Sequence, residues 1–156
     1  MLFRSALDYA KKKSAKTVYL ITNPAPYLST SVDKVIAADT GPEVVAGSTR
    51  MKAGTATKMI LNMISTTTMI SMGKVYGNLM VDLMAVNEKL VDRGARIIQN
   101  ITGKSYEKSL ETLIRANKSV KTAIVMIMRS CDIINAQEKL SNANGMLREV
   151  IEGSDN

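Results

Sequence analysis

Apolar and β-branched residues along the first forty positions are grouped as an α/β crossover groups them. Ala6, Leu7, Ala10 and Ala15 fall on one side of a short helical pattern, and the run Thr17-Val18-Tyr19-Leu20-Ile21-Thr22 that follows predicts a buried strand. Asn23-Pro24-Ala25-Pro26 ends that strand, because proline lacks an amide proton and disfavours helix in the residue before it. A loop at such a strand end is where open α/β sheets place ligands. Leu28 to Asp33 predicts a short helix or turn, and Lys34-Val35-Ile36-Ala37 a second short strand running into Asp39-Thr40-Gly41-Pro42. Two strands do not make a stable parallel sheet, so the pattern predicts a chain whose first residue falls inside a larger α/β unit.

From Ser48 onward the period changes to helical. Ile60, Met63, Ile64, Thr67, Ile70 and Lys74 keep a three-and-four spacing, predicting one long amphipathic helix that closes near Gly77, with Gly77 as its C-terminal cap. Asn78 then starts a second helix through Val86, Leu90, Ile97 and Ile101 to a stop at Thr102-Gly103. Short helices follow, with caps expected at Ser105, at Ser119, and at Asn135 with Glu138 three residues on. Asn144-Gly145 separates the last pieces, and Gly153-Ser154-Asp155-Asn156 reads as a polar tail. The domain expectation is an α/β part with long helices over 1–103, a small helical domain over 104–152, and the tail over 153–156.

Composition narrows the chemistry. The chain has no histidine and a single cysteine, Cys131, which excludes an intrachain disulfide and the usual His-rich or Cys-rich metal sites. Cys131 follows Met126, Ile127 and Met128 and reads as a small buried hydrophobe. General acid or base work falls to carboxylates, lysine or tyrosine. The formal charge of +7 suits nucleic acid, an acidic membrane or a phosphorylated small molecule. Its densest run, Lys11-Lys12-Lys13 with Lys16, lies at a helix end, and one Phe with no Trp leaves little to stack on bases, so neither nucleic acid nor membrane is expected as a partner. The absence of a signal-peptide pattern or a charge-free span of membrane length leads to the expectation of a soluble, cytoplasmic protein. Met59, Met63, Met69, Met72, Met80 and Met84 predict packing or a subunit interface along the long helices.

The segment richest in chemistry runs from Gly41 to Lys58. Gly47 allows backbone to approach a ligand, Ser48 and Thr49 place hydroxyls beside unpaired helix-terminal amides, and Arg50 and Lys52 add positive charge, a set suited to a sugar, an anion or both. The competing structural role is that Ser48 or Thr49 is simply the helix N-cap while Arg50, Lys52 and Lys58 are solvated. Gly41, Gly47 and Gly54 do not have phosphate-loop spacing. Gly54, inside the helix, predicts close packing against another element.

Gly-Pro-Glu-Val-Val-Ala-Gly-Ser-Thr-Arg-Met-Lys-Ala-Gly-Thr-Ala, from Gly41 to Ala56, resembles the signature segment of the N-acetylmuramic acid 6-phosphate etherases. The resemblance continues through Lys58 to Asn62, Gly73 to Asp82, Asn87 to Leu90 and Lys121 to Met126, and spans about Ala6 to Glu152. It implies a partial sugar-isomerase (SIS) fold, a doubly wound α/β sheet followed by long helices and a helical appendage. It also implies a lyase that removes D-lactate from the phosphorylated amino sugar to leave N-acetylglucosamine 6-phosphate in cell-wall recycling, with no cofactor and a homodimeric assembly. In that chemistry a carboxylate removes the proton beside the open-chain aldehyde, the ether oxygen departs, and water adds. The family's acid and base glutamates match positions upstream of Ala6, so the chain alone is expected to be inactive. Glu43 is given a supporting or sugar-positioning role, and Gly47, Ser48, Thr49, Arg50 and Lys52 an edge of the sugar site. Two other functions fit the residues: a sugar-phosphate sensor of the glucokinase-regulator type, and a helical module acting through subunit contacts.

Overall fold

A computed structural model describes residues 2–23 and 31–153, which divide into two compact units, Met1–Ser65 and Thr66–Asn156. The loop prolines Pro24 and Pro26, the start of the turn expected from Leu28, and the last three residues of the polar tail lie outside the described residues.

The first unit opens with α1 (Leu2–Lys12), whose last turn carries Lys11 and Lys12 into solvent, as the basic run predicts. It is followed by β1 (Val18–Ile21) and β2 (Lys34–Ala37), paired in parallel with Val18 opposite Lys34 and Ile21 opposite Ala37. One side-chain clasp sets this register. Asp33 Oδ2 accepts from the amide and hydroxyl of Thr17 at 2.7 and 2.8 Å, and the Asp33 amide donates back to Thr17 Oγ1 at 3.2 Å. Those hydrogen bonds hold the Asp33 carboxyl below the usual aspartate value. The first strand is less buried than its apolar run predicts, with Val18 exposed, because among the described residues β1 is flanked in the sheet by β2 alone.

The helix α2 (Lys52–Ser71) ends at Gly73, which takes a left-handed φ of +67°, and not at Gly77. Any Cβ on Gly73 would meet Met146 Sδ at 2.5 Å and the Gly145 carbonyl at 3.1 Å, so glycine is required there twice over. Gly77 turns a hairpin instead: β3 (Val75–Tyr76) and β4 (Leu79–Met80) pair antiparallel around Gly77-Asn78. The expected second helix is correspondingly shorter. It is α3 (Glu88–Thr102), capped by Asn87, whose Oδ1 accepts from the Leu90 amide at 2.9 Å, and closed by Gly103 at φ +68° as expected.

Four helices complete the second unit: α4 (Tyr106–Arg115), α5 (Val120–Met128), α6 (Ile133–Asn142) and α7 (Leu147–Glu152). Ser105 and Ser119 cap α4 and α5 as predicted, whereas Asp132, not Asn135, caps α6, its carboxylate taking the Asn135 amide at 2.9 Å. Asp132 is better placed than Asn135 because it precedes the apolar pair Ile133-Ile134 that begins the helix. Cys131 is half-buried at the edge of the core with its thiol directed at the Val125 carbonyl.

The hydrophobic core lies in this second unit. Val81, Ile98, Leu113, Val120, Ile124, Val125 and Leu147 are fully enclosed. α5 is at the centre, apolar around most of its circumference and buried accordingly. By contrast, Ala53 is the one buried apolar residue among the described residues of the first unit.

A polar tie closes the hairpin side of the second unit. Lys74 Nζ meets Asp82 Oδ2 at 3.0 Å, and Lys121, nearly buried, lies 3.5 Å from Asp82 Oδ1 while donating to the Gly145 carbonyl at 2.8 Å. Partial burial opposes the Asp82 charge, but the Lys74 hydrogen bond and the Lys121 charge outweigh it and hold the carboxyl below its usual value of 3.8. A carboxyl lowered on folding stabilises the fold above its unfolded pKa, and that contribution is lost as pH falls through the lower folded value. Asp82→Asn is therefore expected to cost about 1 kcal/mol at pH 7, discounted for the solvent that still reaches the carboxylate. Urea melts of both proteins should converge as pH drops below the unfolded value, and a gap that stays constant with pH would show that the charge is not involved.

Candidate functional site

The parallel register of β1 and β2 brings their C-terminal ends side by side, and the segments leaving them line one cavity of about 460 Å³. Thr22 and Asn23 come from the end of β1, and Asp39 and Thr40 from the end of β2. The Gly41 to Thr49 turn closes it, with Ala53 of α2 at its floor. A strand-end cavity is the place the sheet pattern predicts for a ligand. The turn is built from local contacts. The Gly41 amide donates to Asp39 Oδ1 at 2.9 Å, the Ser48 amide to the Val45 carbonyl at 3.1 Å, and Gly41 and Gly47 take φ of +63° and +79°. Only glycine adopts such angles at little steric cost, which explains both glycines in the motif.

Glu43 does the work that was open between Ser48 and Thr49. Its Oε1 accepts from the amides of Arg50 and Ala53 at 3.0 and 3.1 Å, and its Oε2 from the amide of Lys52 at 3.1 Å. Lys52 and Ala53 carry the otherwise unpaired first amides of α2 and Arg50 leads into it, so a carboxylate from seven to ten residues upstream caps the helix. Bonds from Lys52 and Ala53, the largest contributions, with Arg50 and Met51, hold the Glu43 carboxyl below the usual glutamate value. It is charged at neutral pH and cannot serve there as a proton donor.

Of the residues expected at the site, Glu43, Gly47, Ser48 and Thr49 line this cavity, while Arg50 and Lys52 are exposed and outside its lining. Arg50 and Lys52 reach the site through their backbone amides, by way of Glu43. A second cavity of about 470 Å³ shares Thr22, Thr49 and Ala53 with the first and extends along α2 past Gly54, Thr57, Lys58, Leu61 and Asn62. Gly54 has no heavy atom within 4 Å of where a Cβ would stand, so the expected close packing is absent and the glycine opens onto this cavity instead. Thr22, Thr40, Thr57 and Asn62 were not singled out from the sequence. Hydroxyl and amide side chains are common at turns and helix surfaces, and only the strand register brings these together.

The arrangement offers hydroxyls, an amide side chain and two carboxylates, Asp39 and Glu43, around a space large enough for a monosaccharide, with Lys58 supplying positive charge in the adjoining cavity. None of the described helices is long and apolar enough to cross a membrane.

Residues 77–121 match the family model for the C-terminal lid domain of glucokinase regulatory protein. Across nearly the whole chain the similarity is to curated proteins named N-acetylmuramic acid 6-phosphate etherase. The protein of Geobacillus thermodenitrificans is 50% identical over 148 residues, covering 95% of this chain and 50% of that one. That of Oceanobacillus iheyensis is 50% identical over 146 residues, covering 94% and 50%, and that of Escherichia fergusonii 45% identical over 148 residues, covering 95% and 50%. The chain thus spans about half the length of the curated relatives it matches.

Proposed function

From a chain that is a homologue of the N-acetylmuramic acid 6-phosphate etherases over half of their length, we propose that it supplies the C-terminal half of such an enzyme. In this reading the strand-end cavity is one wall of the site for a phosphorylated amino sugar. The parallel β1–β2 pair belongs to a doubly wound sugar-isomerase sheet, and the assembled protein is a cytoplasmic homodimer. The reaction is cleavage of the D-lactyl ether to N-acetylglucosamine 6-phosphate and D-lactate. The observation that carries this is identity of one residue in two over 148 residues, 95% of this chain.

The chain's own residues have limited roles in that reaction. Glu43 fixes the Gly41 to Thr49 turn against α2, Gly47 lets the sugar approach backbone, and Ser48 and Thr49 present hydroxyls to it. In this reading removal of the proton and protonation of the departing oxygen fall to carboxylates outside this chain, since Glu43 accepts from three backbone amides and Asp39, the other carboxylate lining the cavity, accepts from the Gly41 amide.

Nuclear magnetic resonance of the chain titrated with N-acetylglucosamine 6-phosphate tests this. Amide signals of Gly47, Ser48 and Thr49 should move at millimolar ligand, and Glu43→Gln should weaken the response severalfold by loosening the turn. Unmoved signals at those positions would remove the sugar-site assignment. An assay of the chain alone with N-acetylmuramic acid 6-phosphate should yield no D-lactate, and lactate above background would overturn the placement of the catalytic groups elsewhere.

The match of residues 77–121 to a regulatory-protein lid favours a second reading, a sugar-phosphate sensor without turnover. It predicts the same signal changes, but no lactate even from a complete protein.

A further inference from the structure

A cavity of about 220 Å³ lies between α4 and the turn that joins α5 to α6, and every residue lining it belongs to the second unit. Lys104, Lys108, Thr112 and Arg115 form one wall, their spacing of four, four and three placing them on one face of α4 and its approach. Met126 and Ile127 of α5, with Ser130 of the turn, face them. Thr112 and Met126 are buried, so the base of the recess is the packed core itself.

The charge around it is unbalanced. Three cations line the recess and no carboxylate does. Glu111, outside the lining, lies 3.0 Å from Lys108 Nζ and 3.7 Å from Arg115 Nη1, one negative charge shared between two positive ones. Lys104 has no acidic partner among the described residues. A single lysine on an open surface needs no partner but water. Three cations converging on a walled recess differ, because the walls keep water away and the fields of like charges add.

The hydrogen-bonding capacity points the same way. Thr112 Oγ1 already donates to the Lys108 carbonyl at 2.8 Å. What remains toward the recess is a set of donors: the Lys104 ammonium, the Lys108 and Arg115 protons not engaged by Glu111, and the Ser130 hydroxyl. A metal cation would meet only repulsion here. A tetrahedral oxyanion presents several acceptor oxygens to such a set, and a guanidinium can hold two of them at once. The volume is about half that of the strand-end cavity, enough for a phosphate and a few carbon atoms and too small for a nucleotide.

We propose that this recess is an anion site for a phosphate group, free or carried on a small organic body, held by Lys104, Lys108, Arg115 and Ser130. A body of a few carbon atoms would rest against Met126 and Ile127. The assignment does not depend on the etherase reading, and its signals are separate from those of Gly47 to Thr49, so either can fail alone.

Nuclear magnetic resonance of the chain titrated with inorganic phosphate, and separately with glycerol 3-phosphate, tests it against sodium chloride of matched ionic strength. Amide signals of Lys104, Lys108 and Ser130 should move saturably with both phosphates and not with chloride. Lys104→Gln, Lys108→Gln and Arg115→Gln should each weaken binding about fivefold or more. Lys139→Gln, an exposed cation of α6 outside the lining, should leave it unchanged. Thermal midpoints should stay together, since all four side chains are exposed and none belongs to the core. Tighter binding of glycerol 3-phosphate, with movement of the Met126 and Ile127 methyl signals, supports the site and identifies a phosphate ester as its occupant. Equal affinity supports it with the free anion. Shifts that chloride reproduces, or that Lys139→Gln reduces as much as the lining variants do, would overturn the proposal, because both mark diffuse screening of a basic surface.

Discussion

Leu113→Ala is expected to destabilise the second unit by about 2–5 kcal/mol, lowering its thermal midpoint by about 10 °C or more. Leu113 is fully enclosed on the face of α4 that meets α3, and its methyl groups lie against Gly94 and near Val120. Truncation removes apolar burial and leaves a space that three helices cannot easily close, since α3, α4 and α5 are held by their own caps at Asn87, Ser105 and Ser119. Calorimetry or a urea melt followed by helical circular dichroism reads the loss. A change below about 1 kcal/mol would mean that the α3–α4 contact is not packed as described.

The second large effect comes from the other side of the same contact. Gly94→Val should cost about 1–3 kcal/mol even though valine is the better helix former, because packing outweighs propensity here. A Cβ on Gly94 would stand 3.0 Å from Leu113 Cδ2 and 3.0 Å from Val120 Cγ2, and neither side chain has solvent to retreat into. The two changes should therefore be non-additive. In a Leu113→Ala background the added valine fills part of the space, and the double variant should be more stable than the sum of the singles predicts. Relief should be partial, since Val120 still opposes the new methyl groups. Strict additivity would show that Gly94 is not at the point of closest approach.

Local sequence signals recovered elements whose stability is local. Ser105 and Ser119 announced α4 and α5 because an N-cap acts within one turn, and Gly103 announced the end of α3 because a left-handed residue must follow it. Lys34 to Ala37 was legible as a strand from its own pattern. The hairpin was missed although its signal was present. Gly77-Asn78 stands between the apolar pairs Val75-Tyr76 and Leu79-Met80, a two-residue connection that outweighs the cap reading once the helix has stopped at Gly73. What stopped the helix was not legible, because the requirement at Gly73 comes from Gly145 and Met146, more than seventy positions away.

The site divides in the same manner. The glycine-flanked turn and its hydroxyls could be read directly, and so could the preference of ligands for strand ends. The role of Glu43 could not, because capping residues are sought immediately before a helix and this one acts from beyond the turn. Thr22 and Asp39 join the cavity only through the pairing of β1 with β2. The expectation of a one-sided, amphipathic α2 fails as well, since its large apolar residues lie on several sides and are exposed from Leu61 to Met72.

The carboxylate seated on the first turn of α2 also sets the polarity of whatever enters the cavity. Helix starts usually welcome phosphate, but here the welcoming amides are already satisfied by an internal anion, and a second negative group beside it would be repelled. A phosphorylated sugar in the proposed site is therefore oriented by exclusion, with its uncharged hydroxyl-bearing ring toward Glu43 and its phosphate turned away. On the proposed function, Glu43 sets the direction in which the ligand enters.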